Sequence, residues 1–324
     1  MDQGIEPIMN KMKLVVPSIP EDIGKLLQNI DIYFNYLPID EICVIGSSKL
    51  KPLLPDNHSV VFIDEQELAN SDDIRSLIVK RAGNDKAGKR AGWYVQQFMK
   101  MEYARICRDD YYLVWDSDTV PLKPVNMIEN GKPVFDCKTE YNEAYFKTME
   151  NLFPDLRKCI KGSFISEHMI IRTDLMRKML DEIESNESLD GRNFAEKIIN
   201  AVPVESLEKS GFSEFETFGT YVCSRFPGEY GIRNWKSLRF GGVFFDCGRG
   251  LSDENVRWLS ACYDAISFEK GDKLSPVSRI VTSSLYEKLS RADTLGLWAF
   301  AVRAYRKLLK HNKFHKMGNI TEGN

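Results

Sequence analysis

No two of the seven cysteines form a C-x-x-C pair. Cys43, Cys107, Cys137, Cys159, Cys223, Cys247 and Cys262 are scattered and odd in number, which argues against a zinc cluster or a disulfide framework and suits a reducing compartment. No apolar run approaches the roughly 20 residues that a membrane span needs. The stretch Met1 to Asn10 carries acids and a proline where a secretory signal has an apolar core, so the expected location is cytoplasmic. An excess of one charge is missing too: 44 Lys and Arg stand against 47 Asp and Glu, a net charge of −3. That balance gives no sign of a nucleic-acid partner, although it leaves local basic segments open. Internal repeats and low-complexity tracts are absent as well.

What is present is the composition of an ordinary folded protein, 43% hydrophobic and 28% charged over 324 residues, enough for one large domain or one domain with an accessory piece. Lys13 to Ser18 reads as a first strand. Glu21 to Tyr36 reads as a helix with Ile23, Leu26, Leu27, Ile30 and Phe34 at helical spacing, Glu41 to Gly46 as a second strand and Ser59 to Ile63 as a third. Strand, helix and strand in that order predict parallel pairing and a Rossmann-like α/β sheet. Further on, the buried-strand sequence Tyr111-Tyr112-Leu113-Val114-Trp115 stops at Asp116-Ser117-Asp118, two carboxylates at i and i+2. Open α/β sheets place their ligands beyond the carboxyl ends of the strands. Two hard oxygen ligands there suit a divalent cation that completes its shell with water and substrate phosphate. The structural alternative is a strand-end turn with solvated acids.

Gly88 to Met101 opens a helix that runs to about Arg108, with Gln96, Gln97 and Lys100 on one polar side and Trp93 as a core anchor. Pro133 to Cys137 reads as a strand, Glu143 to Phe153 and Thr173 to Ile183 as helices. A loop from Gly162 leads into a strand at His168-Met169-Ile170-Ile171, a helix starts after Asp190, and short strands follow near Lys236 to Phe240 and Val243 to Phe245. Ser213-x-x-Glu216 matches a capping box, in which the serine accepts from the amide three residues on and the glutamate reaches back. Glu216 thereby has a structural reason to be there. Glu214, at the first helical position, is not needed for the box and is the better candidate for a general base; its alternative is an acid that complements the helix dipole. His168 is the only histidine within these motifs. It either completes a metal shell, holds an acceptor hydroxyl or is a hydrogen-bonded core residue. Gly271 to Pro276 is the expected linker between a main domain, residues 12–268, and a C-terminal helical extension, residues 277–324.

Taken in order, four segments resemble the GT-A glycosyltransferases, which use nucleotide-sugar donors, and within them a bacterial group. They are Arg90-Ala91-Gly92-Trp93-Tyr94-Val95-Gln96-Gln97, Trp115-Asp116-Ser117-Asp118-Thr119-Val120, Phe164-Ile165-Ser166-Glu167-His168-Met169 and Ser213-Glu214-Phe215-Glu216-Thr217-Phe218-Gly219, and the resemblance covers residues 12–265. It implies a nucleotide-binding sheet with a mixed C-terminal half. It also implies Mn²⁺ or Mg²⁺ on Asp118, with Asp116 on the metal or the ribose, stabilising a leaving nucleoside diphosphate. The donor expected on this ground is a nucleotide sugar, UDP-linked, and the acceptor a saccharide or lipid-linked saccharide in bacterial surface-polysaccharide assembly. Pro17, Ser18 and Asp64 would lie near the nucleoside, and Arg90, Gln97 and Lys100 would touch phosphate or sugar. Glu214 or Glu216 would activate the acceptor hydroxyl of an inverting enzyme. The pattern S-E-x-E departs from the commoner E-D pair, which leaves open both the residue and the stereochemistry. The late metal-binding histidine of many GT-A enzymes has no clear counterpart, since His168 comes early.

From Leu297 to Lys316, Trp298, Phe300, Val302, Tyr305, Leu308 and Leu309 mix with six basic residues and no acid. Such a helix either packs one side on the main domain and leaves a basic tail in water, or makes peripheral contact with an anionic membrane. Other functions compete. D-x-D-x-[TV] after a strand also fits a haloacid-dehalogenase-like phosphatase with Asp116 as nucleophile, but Gly271-Asp272 lacks the acidic partner that its metal loop needs. A nucleotidyltransferase would need a glycine-rich pyrophosphate loop after the first strand, and none is there. The non-enzyme alternative is a catalytically inactive carbohydrate-binding subunit.

Overall fold

The computed structural model describes residues 11–246, 251–269 and 271–305. They divide into two compact units, one of residues up to 117 together with 125–235, the other of 118–124 together with the residues from 236 onward. The chain thus divides after Trp235, and Gly271 to Pro276 falls inside the second unit.

In the first unit, β1 (Met12–Pro17), β2 (Ile39–Gly46) and β3 (Val60–Asp64) are the three expected apolar runs. Leu14, Val15, Val16, Ile42, Val44 and Ile45 are fully buried, as in strands covered on both faces. The single helix expected after β1 is two, α1 (Ile23–Gln28) and α2 (Ile30–Tyr36). They part at Asn29, whose side-chain amide donates back to the Lys25 carbonyl and ends the first helix. Two helices that the sequence reading passed over follow β3: α3 (Glu65–Ala69) and α4 (Ser71–Ala82), separated by Asn70 in the left-handed region at φ 45°. Next come α5 (Asp85–Ile106), started by the Asn84 side chain accepting from the Lys86 amide, and β4 (Tyr111–Trp115). After β5 (Thr119–Pro121), which belongs to the second unit, the first unit resumes with β6 (Ile128–Glu129), β7 (Lys132–Cys137), α6 (Glu143–Leu152) and β8 (His168–Arg172). It closes with α7 (Thr173–Ser185), α8 (Phe194–Ala201), α9 (Val204–Leu207), α10 (Glu214–Arg225) and β9 (Gly231–Asn234).

The main sheet has the order β3-β2-β1-β4-β8, with the first four strands parallel and β8 antiparallel to β4. The expected α/β class, with a parallel central sheet, is what forms. Because β1 has β2 on one side and β4 on the other, the winding reverses there, and such switch points are where open sheets take ligands. Pro17, Gly46, Asp64 and Trp115 end at one edge, and antiparallel β8 begins at that edge with His168 opposite Trp115. A Cβ on Gly46 would lie 2.5 Å from the Ser18 carbonyl oxygen, so only glycine lets the ends of β1 and β2 approach this closely. A second sheet, β6-β7-β9, completes this unit.

The second unit contains the sheet formed by β5, β10 (Ser237–Leu238) and β11 (Ala265–Ser267), and the helix α11 (Asp253–Ser260). Where a strand was expected at Val243 to Phe245, the chain makes a tight helical turn, Gly241–Val243, after Phe240 enters the left-handed region at φ 67°. The C-terminal region is helical: α12 (Ser278–Val281), α13 (Ser284–Leu289) and a last helical segment at 294–305. The basic tail beyond Tyr305 and Cys247 lie outside the described residues. Among the described residues no helix is long and apolar enough to cross a membrane.

Candidate active site

Asp116 leaves β4 at the carboxyl edge of the parallel strands. Its amide donates to the Glu167 carbonyl at 2.9 Å, which ties the strand end to the segment entering β8. Beneath it Trp115 is fully buried, stacked on His168 with 4.4 Å between ring centroids and met edge-on by Tyr33 and Trp235. The aspartate therefore follows a closely packed aromatic cluster while its side chain keeps 41% of its surface exposed.

One Asp116 oxygen, Oδ1, receives the Lys100 ammonium at 2.9 Å, and the same ammonium donates to Glu214 Oε1 at 2.9 Å. Lys100 projects from α5, and Glu214 is the first residue of α10. Burial alone would lower the Lys100 pKa, but Asp116 and Glu214 outweigh it and raise the value above the ordinary one, so the group is a fixed cation between two acids. Its Nζ also lies 4.5 Å from the centre of the Phe215 ring. One turn earlier, Gln97 accepts from the Glu214 amide at 3.0 Å through Oε1 and donates to the Trp93 carbonyl through Nε2. It satisfies a backbone donor that the start of α10 would leave open. Gln97, Lys100, Asp116 and Glu214 are thus brought together. Asp116 Oδ2 and Glu214 Oε2 carry no protein partner among the described residues.

The capping box forms by half. Ser213 Oγ accepts from the Glu216 amide at 3.2 Å, but the Glu216 side chain does not return to the Ser213 amide. Its Oε2 accepts instead from Ser163 Oγ at 2.7 Å and from the Phe164 amide at 3.1 Å. Oε1 is buried without a hydrogen bond and faces Lys158 Nζ at 3.8 Å, and burial raises the Glu216 pKa above the usual carboxylate range. Glu216 therefore pins α10 to the segment ahead of β8 and not to its own first turn. Gly219 reinforces the contact: a Cβ there would overlap the Phe164 ring, so the helix approaches that ring through bare backbone.

The remaining candidates have other partners. Arg90 donates to the Lys209 carbonyl at 3.0 Å and to Ser210 Oγ at 2.5 Å, and its guanidinium lies over Trp93, which fastens the loop ahead of α10. Asp64 caps α3 by accepting from the Gln66 amide at 2.8 Å, and Pro17 and Ser18 are buried at the end of β1. His168 Nε2 is hydrogen-bonded to Asp136 Oδ2 at 2.9 Å; Nδ1 is enclosed with no partner among the described residues, and the ring is stacked against Trp115. Those are the contacts of a hydrogen-bonded core histidine, one of the three alternatives that the sequence leaves open for it. Asp118, in the second unit, is half-buried; its carbonyl accepts from the Phe268 amide at 2.8 Å and its Oδ1 from Thr119 Oγ1 at 3.3 Å.

Sequence reasoning missed the group behind His168. Asp136 is 1% exposed and receives two hydrogen bonds of 2.7 Å from Arg233, which also pairs with Glu129 at 2.7 Å. Glu167 accepts from Lys138 at 2.6 Å and from the Trp235 indole at 3.0 Å. The available signal was Asp136 itself, an acid inside the apolar run Pro133 to Cys137, since buried acids require partners.

Among the described residues no three His, Cys, Asp or Glu side chains are grouped to enclose a metal ion. The half-exposed Asp116 carboxylate at the carboxyl edge of the sheet suits a cation that keeps water and phosphate in its shell, and not a closed protein cage.

Residues 37–235 match the family described as the family of unknown function DUF6492, and the chain belongs to that family. No curated protein matches it. Among solved structures it is similar to the galactosyltransferase LgtC in complex with donor and acceptor sugar analogs, at 11% identity and TM-score 0.37 over 81% of this chain and 88% of that one. It is also similar to the apo form of mouse xyloside xylosyltransferase 1, at 12% identity and TM-score 0.41 over 82% of this chain and 99% of that one.

Proposed function

We propose that the chain is a GT-A-type glycosyltransferase that moves a sugar from a nucleotide-sugar donor, UDP-linked, to a saccharide or lipid-linked saccharide. The observation that carries the reading is the Asp116–Lys100–Glu214 triad: an acid at the sheet's switch point and an acid at a helix start share one buried cation. In this reading Asp116 and Asp118, two residues apart along the chain, hold Mn²⁺ or Mg²⁺, which supplies neutralising charge to the leaving nucleoside diphosphate. Pro17, Ser18 and Asp64 lie at the same edge of the parallel strands, where the nucleoside would bind.

Glu214 is favoured over Glu216 as the base. One Glu214 oxygen is held by Lys100 and the other lacks a protein partner, so Oε2 is available to take the proton of an acceptor hydroxyl. A base acting on the acceptor belongs to an inverting transfer. Glu216 is buried more deeply, 1% exposed against 7% for Glu214, and its Oε2 already accepts from Ser163 and Phe164. Gln97 and Lys100 serve the reaction by holding Glu214 and Asp116 in place. The scattered cysteines suit a cytoplasmic enzyme, and surface-polysaccharide assembly in a bacterium is the setting that the motif resemblance suggests.

The test is release of nucleoside diphosphate from a panel of nucleotide sugars with Mn²⁺, run beside thermal shifts with the nucleoside diphosphates with and without the metal. Glu214→Gln is expected to keep the metal-dependent shift and lose transfer, whereas Asp118→Ala loses the metal-dependent part of the shift. A protein that releases nothing from any donor and gains no metal-dependent stability from any nucleotide is not this enzyme.

A further inference from the structure

Eight of the fourteen large hydrophobic side chains that are exposed among the described residues lie between 274 and 305, in the second unit. Leu285, Leu289, Leu297, Phe300 and Tyr305 are 67%, 78%, 75%, 77% and 62% exposed. The last helical segment explains part of this. Leu295 and Ala299 are buried on one side, while Leu297, Phe300, Ala301 and Ala304, at helical spacing i, i+3, i+4 and i+7, are exposed on the other. A helix that is apolar on two opposite sides needs a partner on each, and the second unit covers only one.

Charge identifies the other partner. From Thr294 to Lys316 the sequence contains six Lys and Arg and no acid, and Arg279 and Lys288 are exposed on the preceding helical region, where Arg291 pairs with Asp293 at 3.2 Å. Arg303 lies 3.5 Å over the Phe240 ring, so its charge is anchored beside the bare face. A second copy would bring an equally basic sequence against this one and be repelled. An anionic lipid surface offers acyl chains for the apolar residues and phosphates for the basic ones. We propose that this face docks the protein peripherally on an anionic membrane. The inference does not rest on the transferase reading, though it would place that chemistry beside lipid-linked acceptors.

The test is co-sedimentation of the full-length chain with phosphatidylcholine vesicles, with and without phosphatidylglycerol, in low and high salt. The chain should sediment with the anionic vesicles in low salt, release in high salt and ignore neutral ones. Leu297→Ser combined with Phe300→Ser should weaken binding by at least about tenfold, because each side chain is worth roughly that factor when buried. Both positions are exposed, so the melting temperature of the variant should match the wild type. The proposal is overturned by a wild type that stays in the supernatant or binds neutral vesicles equally, or by a variant that binds as before. It is also overturned by a concentration-dependent dimer that the double substitution abolishes, which would assign the face to a second copy.

Discussion

Lys100 Nζ lies 2.9 Å from Glu214 Oε1, with the two side chains only 9% and 7% exposed. The pair joins residues 114 apart in sequence and ties α5 to the start of α10. Charges so enclosed persist because each compensates the other, and removing one partner leaves the other uncompensated. The half-exposed Asp116 is the third member and brings the carboxyl edge of the sheet into the same unit. The triad therefore links the stability of the first unit to the placement of both acids proposed for chemistry.

Lys100→Met is expected to cost about 3 kcal/mol in urea unfolding, the scale of breaking a buried ion pair from one side. Adding Glu214→Gln should recover part of that loss, so the double variant should be less destabilised than the two single losses summed. Strict additivity would show that the ammonium and the carboxylate do not depend on each other.

Gly219→Ala tests how α10 is seated. Intrinsic propensity alone would make alanine stabilising inside a helix by roughly 1 kcal/mol. The Phe164 ring lies where the new methyl must go, so the expected result has the opposite sign, a loss of about 1–3 kcal/mol by overpacking. Phe164→Leu in the same chain should return part of it. A stabilised Gly219→Ala single variant would mean that the helix does not sit against that ring.

What could be read in the sequence was local. The apolar runs at Lys13 to Ser18, Glu41 to Gly46 and Tyr111 to Trp115 announce buried strands because period and composition are properties of a few consecutive residues. The acid at Asp116 and the Ser213 cap were visible for the same reason. The helix α4 was not, because its buried side reduces to Ser71, Ile74 and Ile78 and gives a weak periodic signal. The partners of the acids were equally hidden. That Glu216 would choose Ser163 over its own helix start, or that His168 would be held by Asp136 and Arg233, depends on contacts 32 to 97 residues apart, and no spacing rule reaches that far.

Glu216 should leave a mark on the pH dependence of stability. Burial lifts its pKa in the fold above the unfolded value of about 4.3. A carboxyl that binds its proton more tightly when folded favours folding below the unfolded pKa, and that contribution is lost as pH rises through the folded value. Glu216→Gln removes the titration and keeps an acceptor for Ser163 and Phe164. Relative to wild type, the variant should gain stability as pH is raised from about 4 to neutrality. A difference in unfolding free energy that stays constant over that range would rule out Glu216 as the titrating group.

Asp136 should behave in the opposite sense. Burial would raise its pKa, but hydrogen bonds with His168 and Arg233 outweigh burial and hold it below the ordinary value. Its stabilising contribution is present above the unfolded pKa of about 3.9 and is lost as pH falls through the folded value. Asp136→Asn leaves the Arg233 guanidinium beside a neutral amide, so a loss of about 3 kcal/mol is expected at neutral pH, shrinking as the solution is acidified. Because His168 stacks on Trp115 and meets Trp235 edge-on, the same substitution should also weaken the near-ultraviolet circular dichroism of those indoles. An unchanged aromatic signal would mean that Asp136 does not orient the His168 ring against Trp115 and Trp235. A stability loss that persisted undiminished in acid would show that the Asp136 charge is not its source.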